Sequence, residues 1–394
     1  MSETPFPGPL AGLLVLDLTR VLAGPFAGMM LADLGARVVK VERPGRGDDS
    51  RAYGPFVDGH SAYFARVNRG KESIALDLKS AADRDVLLAL ADRADVLLEN
   101  FRPGVMDRLG LGADALAERN PRLVYASVSG FGQTGPWRER PAYDTVVQAA
   151  AGLIAVTGEP AGEPVKMGTS IADLSAGLYV FGAILAALQG RTTTGRGGRV
   201  DVAMFDSALS LLEGAALHYL SRRTEPPRLG NMHHSISPFG TFHCAEAPIV
   251  ICAGGDGLFG VLCTVVQRPG LVTDPRFADN DSRVRNREEL SAELEAALGR
   301  SPAADWLERL GAAGVPCSAV STVGAALDSE QAAVRKMVVT AGGLPMVGNP
   351  MKIAPYGEPA QRRPAPALDE HGAAIRAELA VPADRRTTKK PVIP

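Results

Sequence analysis

The chain has 394 residues, 46 % hydrophobic and 22 % charged, an ordinary balance for a globular protein of two or three domains. A formal net charge of −2 gives no electrostatic case for nucleic acid as a partner. The opening MSETPFPGPLAG has no basic segment leading into an apolar core, so a cytoplasmic rather than a secreted protein is expected. LLVLDL at 13–18 reads as a short buried strand, and FAGMMLADLG at 26–35 as a helix with Pro25 near its first turn and Gly35 at its end. RVVKVE at 37–42 is a second strand. SIALDL at 73–78, a helix over 81–93, DVLLEN at 95–100 and LVYASVSGF at 123–131 repeat the alternation. Such spacing predicts an α/β fold, a Rossmann-like parallel sheet built from right-handed βαβ units. Ligands of such sheets sit beyond the carboxyl ends of the strands, so the loops after Leu18, Glu42, Leu78 and Asn100 become binding candidates.

Further along, VKMGTSIADLSAG at 165–177 leads into LYVFGAILAAL at 178–188, which reads as a buried helix bounded after Gln189 by Gly190 and a polar stretch. That apolar run is too short to span a bilayer, so no membrane association is expected. RRTEPPRLGN at 222–231 is a Pro- and Arg-rich connector. Beyond it, ISPFGTFHC, PIVICAG and GVPCSAVST read as short strands, with helices near 258–266, 288–298 and 304–312. A second connector is expected near 328–336, and the tail after Pro355, poor in apolar residues, is expected to wrap over another surface. The large α/β domain would then be residues 1–225, completed by 331–394, with a smaller α+β domain inserted at 226–330.

The chemistry-bearing residues are few. Asp173 stands where the 165–177 segment enters the apolar helix, so it can cap the first N–H groups or, as a carboxylate, form an acyl intermediate; the residues alone leave both open. Arg43, Lys79, Arg102 and Arg108 follow predicted strands and have the charge to hold phosphates. Neither G-x-G-x-x-G nor G-x-x-x-x-G-K-[ST] is present. The four cysteines are scattered, and His233, His234, His243 and Cys244 do not have zinc-ligand spacing, so reduced thiols and no metal are expected.

LAGLLVLDLTRVLAGP, GARVVKVERPGRGDDSR, KESIALDLK, ADVLLENFRPGVMDRLG, PAYDTVVQAAAG and MGTSIADLSAG occur in the order found in the class III CoA-transferases, the formyl-CoA transferase and carnitine dehydratase group. The chain resembles that family over nearly its whole length, and its oxalate branch most of all. The resemblance implies coenzyme A as co-substrate, no prosthetic group, an interlocked homodimer, and Asp173 as the nucleophile. It places Leu22, Ala23, Arg43, the run Leu76, Asp77, Leu78 and Lys79, the run Asn100, Phe101 and Arg102, and Arg108 at coenzyme A contacts. Tyr53, Tyr63, Arg140, Tyr143, Asp144 and His233 become candidates for the acceptor site.

The implied reaction moves CoA from a short acyl-CoA to oxalate, a small dicarboxylate, with acetyl-CoA favoured over formyl- or succinyl-CoA as donor. Leu22 stands where a family member has Gln, and no tetraglycine run is present, so GNMHHSISPFG is the nearest candidate for a covering loop. The related 2-methylacyl-CoA racemases use a His-Asp pair where this chain has Tyr143 and Asp144, which argues against racemase chemistry. A CoA-binding protein without catalysis, in which Asp173 serves only as a cap, is the alternative of a different class.

Overall fold

A computed structural model describes residues 8–356 and 361–380. Six aliphatic runs form one sheet: β1 (Leu14–Asp17), β2 (Arg37–Glu42), β3 (Glu72–Ala75), β4 (Val96–Glu99), β5 (Val124–Ser129) and β6 (Gly198–Ala203). Their order is β3-β2-β1-β4-β5-β6, and every pairing is parallel. Chain order reverses between β1 and β4, which pair through Val15–Val96, Leu16–Leu97 and Asp17–Leu98. The expected α/β sheet is therefore present, with its switch point at the first strand. β4 and β5 are buried along their whole length, as parallel strands covered on both faces are, whereas the edge strand β6 mixes buried and exposed residues. Leu16, Val39, Ile74, Leu87 and Leu97 form the core of one face.

The sheet belongs to a compact unit made of Met1–Ala151, Gly168–Leu211 and Glu330–Pro394. Two helices of this unit carry the site: α1 (Ala23–Asp33) and a long helix, Ile171–Thr194. They pack closely at Gly177, where an added Cβ would lie 2.8 Å from the Ala23 carbonyl oxygen and 2.9 Å from the Phe26 ring. The long helix overruns the stop expected at Gly190 and ends at Gly195, which adopts φ 70. Arg191 anchors the extra turn through an ion pair with Asp95 at 2.8 Å and a bond to the Arg122 carbonyl at 3.0 Å, and this offsets the cost of one glycine.

With 24 residues the helix is long and apolar enough to cross a membrane by length and composition, which corrects the length inferred from 178–188 alone. One side of it, with Ala172, Ala176, Val180 and Ile184, is buried in the protein. Leu178 and Tyr179 are 54 % and 47 % exposed, so the expectation of burial all round is also corrected.

Of the tail after Pro355, the described residues 361–380 are anchored to the first unit, and residues 357–360 and 381–394 lie outside the described residues. The helix Gly372–Ala380 buries Ile375 in the sheet core, and Asp369 Oδ1 accepts from the Ala75 N–H at 2.8 Å beside β3. The second unit comprises Gly152–Met167 and Leu212–Ser329. It holds a three-stranded antiparallel sheet of Phe239–His243, Pro248–Cys252 and Cys317–Ala319, with helices Asp256–Val265, Arg287–Leu298 and Ala303–Ala312 over a core of Phe242, Ile251, Phe259, Leu294 and Trp306. The connector expected near 328–336 is largely helical, with Val323–Leu327 and Glu330–Val334.

Candidate active site

Two cavities open at the carboxyl ends of the sheet strands. The first, about 350 Å³, has apolar walls from Leu18, Val41, Leu76, Leu78 and Phe101. Arg43, Lys79 and Arg108 stand exposed around it, following β2, β3 and β4, with no carboxylate partner among the described residues. Asp77 also lines it, and its Oδ1 accepts from the Lys79 N–H at 3.0 Å, which tightens the turn carrying that lysine. An apolar slot with a cationic rim suits a ligand that is part aromatic base and part phosphate.

The second cavity, about 240 Å³, shares Arg20 and Phe101 with the first. Leu22, Ala23, Asn100, Arg102, Tyr143 and Asp173 line it, together with Arg138 and Arg140. Strand ends and helix starts therefore bring most of the predicted residues together. Asn100 is occupied differently from a ligand contact: its Oδ1 accepts from the Arg20 N–H at 2.9 Å and its Nδ2 donates to the Arg20 carbonyl at 2.8 Å.

Asp173 sits in the first turn of the long helix and does not cap it. That task falls to Asp144, whose Oδ1 accepts from the N–H groups of Ala172 at 2.8 Å and of Asp173 at 3.3 Å. Gln148 Nε2 holds the other Asp144 oxygen at 2.5 Å. The capping reading of Asp173 is thereby corrected, and its side chain is left to the cavity. Burial and the neighbouring Asp144 push the Asp173 carboxyl up to about 7, with no cation opposing them. A carboxylate with that basicity is a better nucleophile than an ordinary aspartate, and a strongly displaced carboxyl in a cleft marks a candidate functional group.

Tyr53 and Tyr63 pack edge to face with ring centres 5.7 Å apart. Burial, with Asp173 nearby, raises the Tyr63 hydroxyl above its ordinary range, although Arg66 works against it. Tyr143 is 73 % exposed at the rim of the second cavity. The Arg140 guanidinium lies 4.3 Å from the Trp137 ring centre, while Arg138 pairs with exposed Glu139 at 3.3 Å. His233 belongs to the second unit and stacks on His234 at 4.3 Å. Arg20, Val21 and Arg138 escaped the sequence reading; Arg20 and Val21 follow β1, where the same strand-end rule applies.

Comparison with known proteins agrees with this geometry. Residues 10–372 match CoA-transferase family III. An acetyl-CoA:oxalate CoA-transferase of Acetobacter aceti is 51 % identical over 376 residues, covering 95 % of this chain and 97 % of that protein. A succinyl-CoA:glutarate CoA-transferase of Mus musculus is 37 % identical, over 94 % of this chain and 86 % of its own. The solved structure of a CaiB/BaiF family protein from Brucella suis superposes with a TM-score of 0.83 at 41 % identity, covering 95 % of this chain and 100 % of that one. With its motifs in order, its cationic slot and its half-buried aspartate, the chain belongs to the class III CoA-transferases.

Proposed function

We propose that this enzyme moves CoA from acetyl-CoA to oxalate through a covalent intermediate on Asp173. The observation that carries the reading is the Asp173 carboxyl, raised to about 7, in a cavity joined to the cationic slot by Arg20 and Phe101. The relative from Acetobacter aceti supports this substrate pair.

Asp173 attacks the thioester carbonyl; the carbon–sulfur bond breaks and CoA leaves as thiolate, giving a mixed anhydride. The thiolate attacks the Asp173 carbonyl carbon and expels the donor carboxylate, leaving an aspartyl-CoA thioester. Oxalate attacks that carbonyl and releases thiolate again. The thiolate then takes the oxalyl carbon, and Asp173 returns as carboxylate. No proton is gained or lost over the cycle. Arg43, Lys79 and Arg108 hold the phosphates, and holding the thiolate beside the anhydride supplies much of the acceleration. Arg138 and Arg140 supply charge for an acceptor carboxylate, while Tyr53, Tyr63 and Tyr143 restrict its size.

A second reading, transfer from succinyl-CoA to a larger dicarboxylate, is favoured by the same pair of arginines and by the relative from Mus musculus. We further infer that the enzyme works as an interlocked homodimer. The deciding experiment incubates the enzyme with acetyl-CoA and oxalate and follows oxalyl-CoA by mass spectrometry. Hydroxylamine added with acetyl-CoA alone should convert Asp173 to its hydroxamate. A specificity constant for succinate, glutarate or malate above that for oxalate overturns the acceptor, and an unmodified Asp173 overturns the covalent route.

A further inference from the structure

The turn between β1 and α1 has its backbone gripped from three sides. Val21 adopts φ 69, a left-handed conformation that is strained for a β-branched residue. Lys40 Nζ, on β2, donates to the Thr19 carbonyl at 2.8 Å. Asn100, after β4, bonds both the N–H and the carbonyl of Arg20, at 2.9 and 2.8 Å. Asp48 Oδ1 accepts from the Val21 N–H at 3.1 Å. Lys40 and Asp48 pair at 2.9 Å, and neither side chain is exposed.

Burying an ion pair is a poor route to stability, because desolvation offsets most of the attraction; what such a pair does well is fix a geometry. The geometry fixed here ends at Leu22 and Ala23, which line the Asp173 cavity. Gly24 completes it, since any Cβ there would fall 2.3 Å from the Thr19 methyl carbon. The N–H groups of Ala23 and Gly24 have no acceptor among the described residues.

We propose that Asp48, Lys40 and Asn100 are positioning residues that hold Val21 left-handed, so that the start of α1 stays beside Asp173 and offers its free N–H groups to the oxygen that turns negative when the thioester is attacked. This rests on the transferase reading above. It also supplies backbone donors in a chain that lacks a glycine-run loop for the purpose.

The test uses the full-length enzyme with acetyl-CoA and oxalate. Asp48→Ala should lower kcat about 10²-fold, while the Kd of free CoA by calorimetry moves less than about threefold. Val21→Gly, which adopts the same φ without strain, should recover about fivefold of the kcat lost in the Asp48→Ala background. If Asp48→Ala does not fold, Asn100→Ala carries the same expectation. A lowered melting temperature with unchanged kcat, or no recovery from Val21→Gly, overturns the proposal. Amide exchange across 19–28 gives a readout without turnover and should quicken in Asp48→Ala relative to the rest of the chain. Should the wild type transfer no CoA, quickened exchange there overturns the transferase reading alone, and unchanged exchange overturns the clamp.

Discussion

Asp173 keeps its proton up to about 7 because it is buried and faces Asp144, and two measurable consequences follow from that one placement. In the proposed mechanism the ionised form is the nucleophile, so kcat/KM should rise with pH along a limb centred near 7. Asp144→Asn removes the like charge and still offers an oxygen to the N–H groups of Ala172 and Asp173, so the helix start survives. The limb should move down by about one unit in that variant, and a pH–rate profile that stays in place would deny Asp144 any tuning role. The second consequence concerns stability. The fold prefers the protonated carboxyl, so its contribution is present in full below the ordinary value of 3.8 and is lost as pH rises through about 7. Asp173→Asn has the shape without the charge. It should therefore abolish transfer yet exceed wild type by about 2 kcal/mol at pH 8, after screening by the open cavity, with the gap closing towards pH 4. Urea melts at the two pH values decide it; an equal or lower stability at pH 8 would contradict the strained-carboxyl account.

At the scale of elements, α1 works by coming close to its neighbours, and glycines allow it. A Cβ at Gly28 would fall 2.6 Å from Asp17 Oδ2, the atom that pairs with buried Lys71 at 2.7 Å. Gly177 plays the matching part on the long helix. Gly177→Ala should cost about 1–3 kcal/mol and lower kcat, since the added methyl drives α1 from the helix that carries Asp173. Denaturant titration alongside kinetics checks both, and wild-type values in both would show that the contact yields freely. These contacts explain how much could be read in advance. β1 and β4 were legible because buried parallel strands read as apolar runs, and β2 because Val38, Val39 and Val41 dominate it despite buried Lys40. β6 was not, although RVDVA alternates, because an edge strand with exposed Arg199 and Asp201 follows a Gly- and Arg-rich turn. Arg43, Lys79 and Arg108 were legible from the strand-end rule, and Arg20 would have been under its consistent use. Asp144 as the cap was out of reach: it acts across 28 residues, and no local pattern carries that distance.

At the scale of the whole molecule, the question is what covers the apolar surface that the single chain leaves open. In the first unit Leu178, Tyr179 and Leu209 are 54 %, 47 % and 40 % exposed, two of them on the helix that carries Asp173. In the second unit Leu217 and Leu220 are 64 % and 63 % exposed on one helix, Glu213–Arg222. Isolated exposed leucines are ordinary, but adjacent ones on two helices are the mark of a surface meant for burial. A stable dimer needs about 1,600 Å² in total, a size that two such faces per chain help to supply. Light scattering at micromolar concentration should therefore return twice the 41.3 kDa of one chain. The double substitution Leu217→Glu and Leu220→Glu puts charge on the exposed face of a second-unit helix, so it should weaken association. If the enzyme needs its dimer, activity of this variant should fall on dilution and return at high protein concentration, where mass action restores the pair. A wild-type mass of one chain at micromolar concentration would remove the dimer from the account and leave the apolar faces to another partner.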